Sequence, residues 1–98
     1  MVELIKSSTF DAWLRALRDR RTVARIQARL DRLAAGNPGD VKPVGSGISE
    51  LRIDHGPGYR VYFTQRGPLV IVLLCGGDKS SQSRDIEQAK AIAALWKD

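Results

Sequence analysis

The chain has 98 residues, 43% hydrophobic and 28% charged, enough for one domain over 1–98 with a modest core, and too apolar to be disordered. Its net charge of +5 and pI near 9.9 suit a polyanionic partner such as RNA or DNA, or an acidic protein. One cysteine, Cys75, and one histidine, His55, exclude an intramolecular disulfide and a zinc site of the usual kind.

Met1–Lys6 lacks the pattern of a secretory leader. No apolar run approaches the ~20 residues of a membrane span. The expectation is a cytoplasmic protein that needs no metal or other cofactor and no membrane.

Val2 to Lys6 reads as a short strand, followed by Ser7, Ser8 and Thr9, any of which can cap a helix. Phe10, Trp13, Leu14 and Leu17 recur at i, i+3, i+4 and i+7, which predicts a helix over about 9–18. Aromatics at that spacing are core rather than a stacking pair for bases. A second helix is predicted over about 21–35, with Val23, Ile26, Leu30 and Leu33 on its apolar face. Arg25, Arg29 and Arg32 form a basic stripe on its outer face, a candidate grip for RNA phosphates or a solvated surface.

Gly36-Asn37-Pro38-Gly39 ends that helix, and Val41–Gly47 reads as a loop or a weak edge segment. Two alternating segments follow, around 50–54 and 59–64. Leu51 and Ile53 face Tyr59, Val61 and Phe63, while Glu50, Arg52, Arg60 and Tyr62 share the other face. Leu69–Cys75 is apolar at every position, as a central strand buried on both faces would be, so Cys75 is a small buried hydrophobe. A last helix is predicted over about 82–96, capped by Ser80, Ser81 or Ser83, with Ile86, Ala89, Ala93 and Trp96 inward. The expected fold is α+β in the order strand, two helices, three strands, helix, with the helices on one face of a mainly antiparallel sheet.

One-sided burial excludes a one-residue slip of the hairpin but not a two-residue slip, and the five-residue loop from Asp54 to Gly58 gives the simplest register. Ile53 falls opposite Tyr59, Arg52 opposite Arg60, Leu51 opposite Val61 and Glu50 opposite Tyr62. Two opposed arginines cost stability unless a carboxylate or an anion answers them. Glu50 can neutralise them. The Tyr62 ring offers a surface for a base, and Lys79 at the end of the next strand completes a candidate phosphate site.

These residues resemble a known family. Phe10-Asp11-Ala12-Trp13-Leu14, Glu50-Leu51-Arg52-Ile53, Gly58-Tyr59-Arg60-Val61-Tyr62-Phe63 and the run from Leu73 to Ile86, in that order and spacing, resemble RelE/ParE superfamily toxins of the HigB-like addiction-module killer branch. The resemblance implies a β-α-α-β-β-β-α fold. It also implies a type II toxin that cleaves mRNA at the ribosome without a metal. A small helix-turn-helix antitoxin would neutralise it, and the complex would bind operator DNA.

Residue by residue, Arg52, Arg60 and Lys79 match the basic positions of RNA-cleaving members. The tyrosine that some members use for proton transfer has no counterpart after Tyr62. Arginine stays charged and serves as an anion clamp rather than a base. Lys79, crowded by the arginines, and His55, whose imidazole is of the type that titrates near neutrality, are the candidates for moving the proton. Gln82 is a candidate for orienting RNA or for bonding the corner. The alternatives are a ParE-like gyrase poison that is not an enzyme, and a regulatory member that binds antitoxin and DNA without killing.

Overall fold

The computed structural model describes residues 1–97. The elements are β1 (Glu3–Lys6), α1 (Ser8–Ala16), α2 (Arg20–Ala34), β2 (Val41–Gly45), β3 (Ile48–Ile53), β4 (Tyr59–Gln65), β5 (Val70–Asp78), a 3-10 turn (Lys79–Ser81) and α3 (Gln82–Leu95). The five strands lie in the order β1-β5-β4-β3-β2. β1 runs parallel to β5 and every other pair is antiparallel. This is the expected α+β class, compatible with a RelE-like fold.

Local chemistry sets the helix ends. The Ser7 hydroxyl accepts from the Phe10 N–H at 3.0 Å and donates to the Leu74 carbonyl at 2.6 Å, so one residue caps α1 and ties it to β5. The Asp19 carboxylate caps α2, accepting from the Arg21 N–H and the Thr22 hydroxyl. At α3 the expectation of a serine cap fails: Ser81 occupies the cap position but makes no side-chain cap bond. Asp78 instead caps the preceding 3-10 turn by accepting from the Ser80 N–H at 2.8 Å.

The helices occupy both faces of the sheet, which corrects the one-face expectation. Phe10, Ile26, Leu30 and Leu33 of α1 and α2 pack on Leu51, Ile53, Val61, Phe63, Ile71 and Leu73. Ile86, Ala89, Ile92 and Ala93 of α3, with Trp96 just past its end, pack on Ile48, Tyr62, Val72, Leu74 and Cys75. The reason is visible in β5, whose consecutive apolar residues need cover on both sides. A bulge reinforces this: Tyr62 pairs with Cys75 and Phe63 with Leu73, so Leu74 is extra and joins Cys75 in the α3 cluster. β5 is interior, as expected, but β4 holds the middle of the sheet.

Val41–Gly45 is a strand, paired along the outer edge of β3. Pro43 is compatible with that position because an edge strand does not need every N–H. Phe10 is fully buried and Trp13 packs against the same core, as read from their spacing. No described helix is long and apolar enough to cross a membrane.

Candidate functional site

The β3–β4 hairpin has the register derived from the sequence: Ile53 opposite Tyr59, Arg52 opposite Arg60, Leu51 opposite Val61 and Glu50 opposite Tyr62. The face bearing Glu50, Arg52, Arg60 and Tyr62 looks away from α1 and α2. It is also the face on which α3 sits, so only its outer end is open. There a pocket of about 320 Å³ is lined by Asp40, Arg52, Asp54, Gly58, Arg60 and Lys79. Arg52, Arg60 and Lys79 therefore share one cavity.

The three cations are held differently. Arg52 is half-exposed and paired with Asp40, its Nε 3.2 and 3.3 Å from the two carboxylate oxygens and its Nη2 3.1 Å from Oδ1. Arg60 is buried at 8% exposure, donates from Nη1 to the Tyr59 carbonyl at 3.2 Å, and lies with Nε 3.7 Å from Glu50 Oε1. Lys79 is exposed, and its stem lies across Gly58. Gly58 has φ +84°, and a Cβ there would meet Lys79 Cε at 2.9 Å. This glycine is needed twice, for the left-handed turn and for the close passage of the lysine.

Behind the pocket lies a buried polar network. Glu50 is fully buried and its Oε2 accepts from the Tyr62 hydroxyl at 3.0 Å and from Gln82 Nε2 at 2.7 Å. Burial first, and then the Glu50 carboxylate, push the Tyr62 phenol well above its ordinary range. Tyr62 is fully buried, so it offers no ring face to a base, contrary to expectation. Gln82, half-buried, thus bonds Glu50 of β3 rather than the corner at Gly76-Gly77. Asp85 is buried in the first turn of α3, where it accepts from the Ser81 hydroxyl. Cys75 donates to the Asp85 carbonyl, and burial raises its thiol to about 12, which keeps it protonated at neutral pH and makes it a poor nucleophile.

The other expected site residues are dispersed. His55 stacks on Tyr59 and lines a separate groove with Arg21, Ala24, Arg25 and Ala28, on the α2 side of the hairpin. It does not join the three cations. Arg29 is half-buried and donates to the carbonyls of Arg52 at 2.7 Å and Pro38 at 2.9 Å, so it fastens α2 to the hairpin. Burial lowers the pKa of this guanidinium. Arg25 and Arg32 are exposed. The stripe is thus two surface cations flanking a strut. Asp40 and Asp54 are pocket residues that pattern reading passed over. Asp40 looked like a loop residue after Pro38, and its partner 12 positions away could be found only once β2 was seen to pair with β3.

Among the described residues no three His, Cys, Asp or Glu side chains group to hold a metal ion. The site is a cationic cavity bordered by two carboxylates, and behind it lies a buried polar network in which Glu50 Oε1 and Arg60 Nε make no hydrogen bond.

The α+β fold is compatible with a RelE-like fold, and comparison with known proteins supplies the class. The family model described as phage derived protein Gp49-like (DUF891) matches residues 12–97. The chain belongs to this family, a toxin–antitoxin toxin family of the RelE/ParE-like type. An uncharacterized protein of Haemophilus influenzae is 51% identical over 92 residues, covering 94% of this chain and 93% of its own length. No solved structure matches the chain.

Proposed function

We propose that the chain is a HigB-like, ribosome-dependent mRNA endoribonuclease, neutralised by a helix-turn-helix antitoxin whose complex with it binds operator DNA. The observation that carries this reading is the convergence of Arg52, Arg60 and Lys79 on one pocket. A poison that acts by binding alone needs no such clamp on a small anion. A phosphate entering the pocket meets two guanidinium groups suited to its oxygens and an ammonium at the rim.

In this reading a ribose 2′-hydroxyl attacks the adjacent phosphorus. The O2′–P bond forms, the P–O5′ bond breaks, and the products are a 2′,3′-cyclic phosphate and a free 5′-hydroxyl. Charge that builds on the phosphoryl oxygens is stabilised by Arg52 and Arg60 without a metal. The Lys79 ammonium gives a proton to the leaving O5′. Asp40 and Asp54 are the carboxylates on the pocket wall that can accept the proton from O2′. Exposed Arg25 and Arg32 add long-range attraction to ribosomal or messenger RNA.

Inducible expression with and without the cognate antitoxin, followed by mapping of RNA ends, tests the reading. Growth arrest with new 5′-hydroxyl ends supports it. Arrest with intact RNA and DNA damage would favour gyrase poisoning, and no arrest would favour a regulatory role.

A further inference from the structure

We propose that Glu50 is a positioning residue that aims the Arg60 guanidinium, and that Tyr62 and Gln82 hold Glu50 for this purpose. What Arg60 does once aimed rests on the endoribonuclease reading above. Glu50 is fully buried and is not on the pocket wall, so it can act on a ligand only through Arg60.

A buried carboxylate is costly unless it is both paired and hydrogen-bonded. Here the two requirements are divided between its oxygens. Oε2 receives both neutral donors, Tyr62 from β4 and Gln82 from the first residue of α3. Oε1 has no hydrogen bond, nor does Arg60 Nε, although both are buried and only 3.7 Å apart. The carboxylate is thus pinned on one side and turned toward the guanidinium on the other. It neutralises Arg60 by charge and leaves the guanidinium's donors unspent on it.

That gap has a chemical consequence. A tight two-bond bridge between Glu50 and Arg60 would occupy the fork that a phosphate needs. A charge contact at 3.7 Å holds the buried cation in place without drawing its terminal N–H groups onto Glu50, so that, beyond the one Nη1 bond to the Tyr59 carbonyl, they are left for a ligand. Arg52 is arranged in the opposite way, with an exposed carboxylate hydrogen-bonded to it from the pocket wall. Arg60 is therefore the preset member of the pair.

The test compares wild type with Glu50→Gln, Gln82→Ala and Tyr62→Phe, with two readouts. The first is the Arg60 Nε–H signal in a ¹⁵N correlation spectrum, assigned with Arg60→Lys. The second is single-turnover cleavage of mRNA on programmed ribosomes. Glu50→Gln is expected to move the Arg60 signal to the averaged position of a solvent-exposed arginine. It should also slow cleavage by about a hundredfold, the effect of misplacing a reacting group by about an ångström, with half-saturation little changed. Gln82→Ala and Tyr62→Phe should shift both readouts in the same direction by a smaller factor, and they decide the matter if Glu50→Gln does not fold. An unmoved Arg60 signal in the folded variants overturns the proposal, as does slowed cleavage that tracks only lost thermal stability. If wild type cleaves no RNA, the nuclease reading fails, while the spectrum still decides whether Glu50 holds Arg60.

Discussion

Arg52 and Arg60 stand directly opposite one another across the β3–β4 hairpin, and a different carboxylate answers each: exposed Asp40 for Arg52, buried Glu50 for Arg60. Like charges in that position repel, so the hairpin keeps them apart in partner as well as in burial. The pair then presents two guanidinium groups to one pocket without collapsing onto one counter-ion.

Removal of Arg52 should separate activity from folding, whereas removal of Arg60 also leaves buried Glu50 without its cation and lowers stability. Arg60→Ala and Arg52→Ala are each expected to cut RNA cleavage by about 10²–10³-fold, the scale for losing one preset donor to a developing oxyanion. Antitoxin capture should persist in both. Cleavage assays and pull-down with the antitoxin check this together.

Gly58→Ala should damage the site from a distance. Its Cβ would take the space of the Lys79 stem, at 2.9–3.1 Å, on a backbone with φ +84°. Left-handed strain costs roughly 1 kcal/mol, and displacing Lys79 adds a loss of cleavage that stability does not explain. Thermal melts alongside cleavage rates distinguish the two effects.

Arg29 and Arg25 should behave differently despite sharing a helix face. Arg29 donates to the Arg52 and Pro38 carbonyls, and Arg29→Ala is expected to cost about 2 kcal/mol by leaving both acceptors without it. Arg29→Lys should not restore this, because an ammonium cannot span both carbonyls as the planar fork does. Arg25 is exposed, and Arg25→Ala should leave the melt unchanged. Denaturant titration of the three variants provides the check.

The acid limb of the stability profile should trace to two capping carboxylates. The Arg21 N–H and the Thr22 hydroxyl hold Asp19 below its ordinary value of 3.8, and the Ser80 hydroxyl and N–H do the same for Asp78. A carboxylate depressed in the folded state contributes stability that is complete above its unfolded value and is lost as pH falls through the folded one. The melting temperature should therefore begin to lose this contribution only near and below about pH 4. Asp19→Asn with Asp78→Asn should make that limb shallower.

Much of the fold could be read from side-chain pattern because it depends on period and burial alone. The register of 50–53 against 59–62 follows from one-sided alternation together with the five-residue loop, and it puts the arginines opposite each other. The three helices fall within two residues of their predicted ends. Two features escaped for physical reasons. The helix α3 was placed on the wrong face because its stripe says that it packs, not where, although the two-sided burial of β5 held the clue. β2 was half-missed because Pro43 and two nearby glycines lower strand propensity, which edge pairing with β3 overrides.

At the site, pattern identified which cations point outward from the hairpin but not what they meet. Tyr62 shares a face with Arg60, and nothing in the alternation says that α3 covers one and leaves a pocket beside the other. Arg29 is indistinguishable from Arg25 by spacing, and only the approach of the hairpin carbonyls makes it a strut. His55 lies in the right loop but on the side facing α2. Such differences arise from packing between elements distant in sequence.

The central claim is that Arg52, Arg60 and Lys79 grip a scissile RNA phosphate. It is tested most directly by incubating purified protein with programmed ribosomes and analysing both new RNA ends, with Arg60→Ala alongside. The account predicts 2′,3′-cyclic phosphate and 5′-hydroxyl ends from wild type and almost none from Arg60→Ala. Intact mRNA with wild type, or equal cleavage by Arg60→Ala, would contradict it.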